Sequence, residues 1–411
     1  MSMLSARSRN NVRIATLFLL LSASLLAAQD RPLAPHARSA ILIDQDTGSV
    51  LYEANADAPQ IPASLAKMMT LHLAWCRIEE GLMKQSDPVN ISKRAWSRSQ
   101  ETGSSLMFLE PGQRVTVGEI MRGIAVVSGN DAAVAMAEHL GGSVESFVSM
   151  MNEEARRLGF HTLKFTDPAG IDADNRVTAR DFAGFCRIYI EKHPAALKEL
   201  HSVKEMIYPL PQNLPEGDPR PAQPIKQQSQ NNLLGGDLGV DGLKTGHLDA
   251  RNYTGAFTAE RDGMRLIAVL LGIEGPTAAA GKRNRSDDTN ALLSYGFTNF
   301  ATVHPAVPHL PVVRVWKGAV NELTLTMAKA PVLTDRRDAV AHIVSSVTAE
   351  PGIIAPVSRG AKLGEVVYTA DGRVLARFDL VAASEVKQAG FIKGAIHSLR
   401  LAIRSLFGKG L

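Results

Sequence analysis

Residues 38–55 read RSAILIDQDTGSVLYEAN, and residues 253–273 read YTGAFTAERDGMRLIAVLLGI. In the first stretch two alternating apolar runs flank Asp46–Gly48. In the second, Tyr253–Ala259 and Leu266–Ile273 bracket the turn Arg261–Gly263. Apolar runs joined by Asp- and Gly-rich turns predict β-hairpins. The chain between them has a different period. Residues 64–80, SLAKMMTLHLAWCRIEE, are free of Gly and Pro and predict a helix. Residues 117–140 and 143–158 predict two more, and residues 176–192 another, with a capping pattern at Thr178 and Asp181. Residues 209–237, rich in Pro, Gln, Asn and Gly, read as a long surface loop, and residues 291–300 as a short closing helix. Strands at both ends of a helical middle predict one α/β unit whose first and last segments share a sheet.

Outward from this unit the character changes. Pro305, Pro308 and Pro311 mark a boundary, and residues 312–382 carry short β-prone runs such as VVRVWKG and NELTLTMA. The expected division is the α/β domain over 35–303 and a small, β-sandwich-like all-β domain over 304–386. A chain of 411 residues with 45% hydrophobic and 21% charged residues excludes a wholly disordered protein. A net charge of +4 is too small to argue for nucleic acid. With only Cys76 and Cys186, a disulfide scaffold and a cysteine-only zinc site are unexpected. Both cysteines have apolar neighbours and read as buried free thiols. The eleven histidines show no metal-ligand spacing, so neither metal nor cofactor is expected.

Both ends of the chain are basic next to apolar stretches. Residues 1–29 hold Arg7, Arg9 and Arg13 before IATLFLLLSASLLAA, a secretory signal pattern. Its apolar run is shorter than the roughly 20 residues of a spanning helix. Residues 387–411 predict an amphipathic helix. Phe391, Ile392, Ala395, Ile396, Leu399, Ile403, Leu406 and Phe407 recur at helical spacing, with Lys393, His397, Arg400 and Arg404 between them. Such a helix is too charged to span a bilayer and fits the membrane surface.

Three short motifs carry the chemistry. In Pro62-Ala63-Ser64-Leu65-Ala66-Lys67, Ser64 and Lys67 stand three apart and so share a helix face. A serine hydroxyl needs a base beside it, and a lysine is a base only when its neutral form is accessible. Ser128-Gly129-Asn130 lies in a turn before a helix and offers a hydroxyl and an amide. Lys244-Thr245-Gly246-His247 reads as a strand end with a cation, a hydroxyl and a glycine that admits a substrate backbone. Alone, each pattern is weak.

Together and in this order the three are specific. Ser-x-x-Lys, Ser-x-Asn and Lys-Thr-Gly make up the site of the penicillin-recognising serine acyl-transferases. Longer stretches also match: PASLAKMMT, GSSLMFLEPGQ, SGNDAAVAMAEHLGGS and VDGLKTGH. The chain resembles the low-molecular-mass penicillin-binding proteins that act as D-alanyl-D-alanine carboxypeptidases. The resemblance implies a β-lactamase/transpeptidase-like catalytic domain, with an antiparallel sheet and helices, in a periplasmic enzyme held peripherally at the bacterial inner membrane. It implies peptidoglycan stem pentapeptide as substrate and β-lactams as inhibitors, and leaves a homodimer open. Ser64 would be the acylated nucleophile, Lys67 its base and Ser128 a proton shuttle oriented with Lys244. Asn130 would bind the peptide side and Thr245 the terminal carboxylate. The backbone N–H groups of Ser64 and His247 would form the oxyanion hole, with Gly246 between Thr245 and His247. An arginine downstream would also hold the carboxylate: Arg285 at the matching spot, with Arg283 its rival. A D,D-endopeptidase shares this chemistry. A β-lactamase would need a deacylating base, and the loop Thr166–Asn175 offers Asp167, Asp172 and Asp174 but no glutamate.

Overall fold

The computed structural model describes residues 32–215, 217–249 and 252–406. The signal-like segment 1–29 and the last five residues of the C-terminal helix lie outside the described residues. The chain forms two compact units. One comprises residues 32–42, 52–259 and 267–294, and the other residues 43–51, 260–266 and 295–406.

The main sheet has five strands: β1 (Ser39–Asp44), β2 (Val50–Ala54), β3 (Val240–His247), β4 (Tyr253–Arg261) and β5 (Met264–Ile273). Their order is β2-β1-β5-β4-β3, so the first and last segments do share the sheet. Every residue of β1 is buried, as is every residue of β5 but Arg265. A strand buried on both faces reads as a near-continuous apolar run, as LIAVLLGI does.

The helices of this unit are α1 (Lys67–Glu79), α2 (Val117–Val126), α3 (Asn130–Gly141), α4 (Val144–Arg157), α5 (Ala179–Lys192) and α6 (Ala278–Asn299). Residues 67–76 of α1 are all buried, the mark of an interior helix. Three expectations change. The run 117–140 is two helices, because the chain breaks at Val127–Gly129 and Ser128 takes a left-handed φ of 60°. The loop 209–237 is flanked and partly occupied by a ladder pairing Glu205–Tyr208 with Ile225–Gln228. The short closing helix is the long α6. Its early half, AAAGKRNRSDDTN, is too polar to read as helical, yet it buries Arg285, Ser286, Asp288 and Thr289. Gly281 lets it approach β4, since a Cβ there would meet the Tyr253 ring at 2.2 Å.

The second unit is β-rich. Its strands β6 (Val312–Trp316), β7 (Glu322–Met327), β8 (Val344–Ala349), β9 (Gly352–Ile354), β10 (Lys362–Ala370) and β11 (Arg373–Ala382) form a six-stranded sheet in the order β8-β10-β11-β7-β6-β9. Val313, Val315, Leu323, Leu325, Val366 and Leu380 are in its core. The α/β class and the C-terminal β character are both as the sequence predicts.

Helix α7 (Phe391–Leu406) follows the last strand. Its docking inverts one expectation. His397, placed by its spacing on the solvated basic face, is 7% exposed and packs edge-on against Trp316. The amide of Lys317 donates to its Nδ1 at 2.8 Å. The apolar residues face outward instead: Phe391 is 91% exposed, Ile392 77% and Leu399 64%.

Candidate active site

Ser64 lies in a 3-10 turn, Ala63–Ala66, that feeds directly into α1. Ala63 has φ 49°, a conformation that costs an alanine energy and recurs at functional turns. The turn leaves Ser64 partly exposed at the mouth of an otherwise buried helix. Lys67 is fully buried rather than on a solvated helix face.

A buried lysine must be satisfied by hydrogen bonds. Lys67 Nζ reaches Ser64 Oγ at 3.1 Å, Asn130 Oδ1 at 2.8 Å and the Ala169 carbonyl at 2.7 Å. As an ammonium it donates to all three. A neutral amine has two N–H donors and one lone pair. The two carbonyl oxygens only accept, so the lone pair falls on the Ser64 hydroxyl. Burial lowers the Lys67 pKa to about 7, against the raising effect of Asp167 and Asp131. Both protonation states are therefore populated near neutrality.

Two carboxylates hold the surrounding loops. Asp131 is fully buried and accepts from the amides of Met107, Phe108, Leu109 and Ala132 at 2.8–3.0 Å. Burial raises its pKa, and these amides oppose the shift. Asp167 accepts from the amides of Ala169, Gly170, Ile171 and Asp172 and from Asn175 Nδ2. It thereby turns the Ala169 carbonyl onto Lys67. Gly170 is required there, because a Cβ would lie 1.9 Å from the Ala63 carbonyl oxygen.

Ser64, Ser128, Thr245, Gly246, His247 and Arg285 line one cleft of about 240 Å³, together with Ser105, Tyr253 and Lys282. Ser128 is 4% exposed. Asn130, the first residue of α3, bridges Lys67 and Ser104, to whose Oγ its Nδ2 donates at 3.1 Å. Strand β3 carries Lys244 to His247 past the nucleophile. A Cβ on Gly246 would stand 2.9 Å from the Ser64 amide nitrogen and 2.5 Å from Thr254 Oγ1. Glycine keeps that amide open to the cleft. His247 stacks on Tyr253 with centroids 4.8 Å apart. Burial, with Lys282 and Arg285, lowers its pKa.

The cations here have no acidic partner among the described residues. Lys244 is 1% exposed and donates to the Thr245 carbonyl at 2.7 Å. Burial, then the charges of Lys67 and Arg285, hold its pKa well below the usual lysine value. Arg285 is 3% exposed and reaches only the carbonyls of Thr254 and Gly246, at 3.3 and 3.5 Å. Its Nε has no partner, and burial lowers its pKa to about 10. Arg283 is exposed and absent from the cleft, so the structure brings Arg285, not its rival, to the site.

The sequence reading missed Ser104, Ser105, Asp131, Asp167 as a loop organiser, Tyr253 and Lys282. The stretches GSSLMFLEPGQ and SGNDAA held the signal for the first three. Nothing local marked Tyr253 or Lys282, which enter through the packing of α6 on β4.

Comparison with known proteins agrees with this geometry. Residues 26–275 match the family described as D-alanyl-D-alanine carboxypeptidase, and residues 306–388 match the penicillin-binding protein 5, C-terminal domain. The chain is 33% identical to D-alanyl-D-alanine carboxypeptidase DacC of Escherichia coli, covering 90% of each chain. It is 33% identical to the DacF enzyme of Bacillus subtilis, covering 94% of this chain and 96% of that one. Penicillin binding protein 5 from Haemophilus influenzae superposes with a TM-score of 0.76 at 31% identity, over 86% of this chain and 98% of the other. The chain belongs to the D-alanyl-D-alanine carboxypeptidase family of serine-type peptidases.

Proposed function

We propose that this protein removes the terminal D-alanine from peptidoglycan stem peptides through an ester on Ser64, in cell-wall maturation. The observation that carries the reading is the buried Lys67 amine, 3.1 Å from Ser64 Oγ, with both other donors committed to carbonyl oxygens. Neutral Lys67 takes the Ser64 proton as Oγ attacks the carbonyl carbon of the D-Ala–D-Ala bond. The oxyanion is received by the Ser64 and His247 amides. Collapse breaks the C–N bond, and Ser128, oriented with Lys244, passes a proton to the departing amine. Water then hydrolyses the ester. Asn130 holds the peptide side, while Thr245 and Arg285 hold the terminal carboxylate. Arg285 has no acidic partner among the described residues, which supports this role: the substrate supplies the anion.

A β-lactam presents a strained amide and acylates the same Ser64. Its ester is long-lived, because the expelled amine stays tethered to the acyl group and hinders water, and because both Asp167 oxygens are taken up by loop donors with no glutamate in that loop to force hydrolysis. The protein is exported and rests on the outer face of the inner membrane through residues 388–411. The outward apolar row of α7 supports that contact. Among the described residues no helix is long and apolar enough to cross a membrane.

Two measurements made together test the reading: intact mass after mixing with penicillin, and D-alanine release from a D-Ala–D-Ala peptide. An adduct on Ser64 with D-alanine released is the expected result. An adduct without release shifts the activity toward a D,D-endopeptidase, and penicillin loss without a lasting adduct toward a β-lactamase.

A further inference from the structure

A second cluster of reactive side chains lies away from this cleft. His72 and Cys76 stand four apart on α1, and His193 caps the C-terminus of α5. All three are buried, and their ligand atoms lie within 4.8 Å of one another. Sequence spacing hides the set, because His193 is 121 residues from His72.

The proton inventory of the two imidazoles is informative. His72 Nε2 faces Glu154 Oε1 at 2.8 Å, and His193 Nδ1 faces Glu79 Oε1 at 2.5 Å. Each carboxylate calls for an N–H from its histidine. That leaves the two remaining ring nitrogens, His72 Nδ1 and His193 Nε2, facing each other at 2.9 Å. Two lone pairs do not face each other across that gap, so a third proton or a cation lies between them. A histidine whose outer nitrogen donates to a carboxylate while its inner nitrogen is free is the arrangement that metal-binding histidines adopt. Cys76 Sγ lies 3.6 Å from His72 Nε2, on the side that faces Glu154, and supplies a sulfur donor that must shift toward the His72 Nδ1–His193 Nε2 gap to share a cation.

We propose that Cys76, His72 and His193 bind one borderline-soft divalent cation of the zinc class, with Glu154 and Glu79 orienting the imidazoles. Tetrahedral zinc with N and S ligands places its donor atoms about 3.3–3.6 Å apart, so the observed spacing needs adjustments of up to about 1.5 Å. A fourth position is open to water from a cleft of about 670 Å³ lined by Cys76, Glu154, Arg157 and Lys192. In the structure the Lys192 ammonium stands 3.1 Å from Cys76 Sγ. It fills the place of a counter-cation, and its exposed side chain is free to swing into solvent when the metal enters. The bound cation ties the helix that begins with Lys67 to the end of α5.

The test uses the untagged full-length protein, stripped with a chelator and titrated with Zn²⁺ by calorimetry and with Co²⁺ by absorption. One equivalent should bind, with a near-ultraviolet thiolate-to-cobalt band. Cys76→Ser and His193→Gln should each weaken binding about 10–100-fold, and Lys192→Ala should tighten it. Penicillin labelling of Ser64 at the unmodified rate certifies that each variant is folded. Absence of saturable binding, absence of the thiolate band, or equal affinity in Cys76→Ser overturns the proposal.

Discussion

The rate at which penicillin acylates Ser64 should rise with pH and level off near pH 8. Only the neutral Lys67 amine accepts the Ser64 proton, and burial lowers the Lys67 pKa to about 7. The neutral fraction then grows from about one tenth at pH 6 to about nine tenths at pH 8, a rise of about tenfold that ends in a plateau. A lysine with an unshifted pKa near 10.4 would give a rise of about a hundredfold over the same interval and no plateau. The assay is the second-order labelling rate at constant ionic strength, followed by intact mass. Asp167→Asn assigns the midpoint. The Asp167 carboxylate raises the Lys67 pKa, so its neutral replacement should move the midpoint to lower pH. Asparagine keeps one oxygen to accept from the Ala169, Gly170 and Ile171 amides but turns an amino group toward the Asp172 amide and Asn175 Nδ2, so the melting temperature of the variant is measured beside its profile. A profile still climbing at pH 9, or a midpoint that ignores Asp167→Asn, would refute Lys67 as the base.

Gly246→Ala puts a methyl 2.9 Å from the Ser64 amide and 2.5 Å from Thr254 Oγ1, and should cut the acylation rate about 10²–10³-fold, read by penicillin labelling, and lower the melting temperature. Arg285→Leu should lower kcat/KM about a hundredfold on a peptide ending in a free carboxylate and much less on its amide. The same change should leave the unfolding midpoint unchanged or higher, because it removes a buried cation that has no acidic partner among the described residues and only two long bonds to carbonyls. Deleting residues 388–411 should move the protein from anionic vesicles to the supernatant in a sedimentation assay while D-alanine release from small peptides persists. Retention on vesicles would assign the contact to another surface.

What the sequence disclosed is what residue type and short spacing encode. Ser64 and Lys67, three apart, and the Lys244–His247 strand end were legible because their chemistry is local. The burial of Lys67 was not, since lysine is ordinarily solvated and only the all-buried α1 reverses that prior. The early half of α6 was unreadable for a related reason. Hydrophobic periodicity fails where a buried face is made of Arg285, Asp288 and Thr289, as happens when a helix builds a site. His397 was misplaced because its Nδ1 has a specific partner, the Lys317 amide, which charge patterning cannot foresee. Asp167 acts through backbone amides, and no side-chain motif records such bonds.

The buried cations also explain why one cleft serves both halves of the proposed reaction. Lys67, Lys244 and Arg285 are each almost without solvent contact, and among the described residues none forms an ion pair, although Asp167 and Asp131 act on Lys67 from a distance. Desolvation with mutual repulsion costs the folded state stability, and it can be relieved in two ways. One is loss of a proton, which the low Lys67 pKa records and which yields the base. The other is entry of an anion, which a terminal carboxylate supplies beside Arg285. A substrate amide in place of the acid gives no such relief and leaves the cation unpaired. Selectivity for a free C-terminus and activation of Ser64 are therefore linked through burial. Removing the charge by Arg285→Leu should weaken carboxylate recognition at the same time as it returns the Lys67 midpoint toward higher pH. If only one of the two responds, the base and the anion site are electrostatically independent.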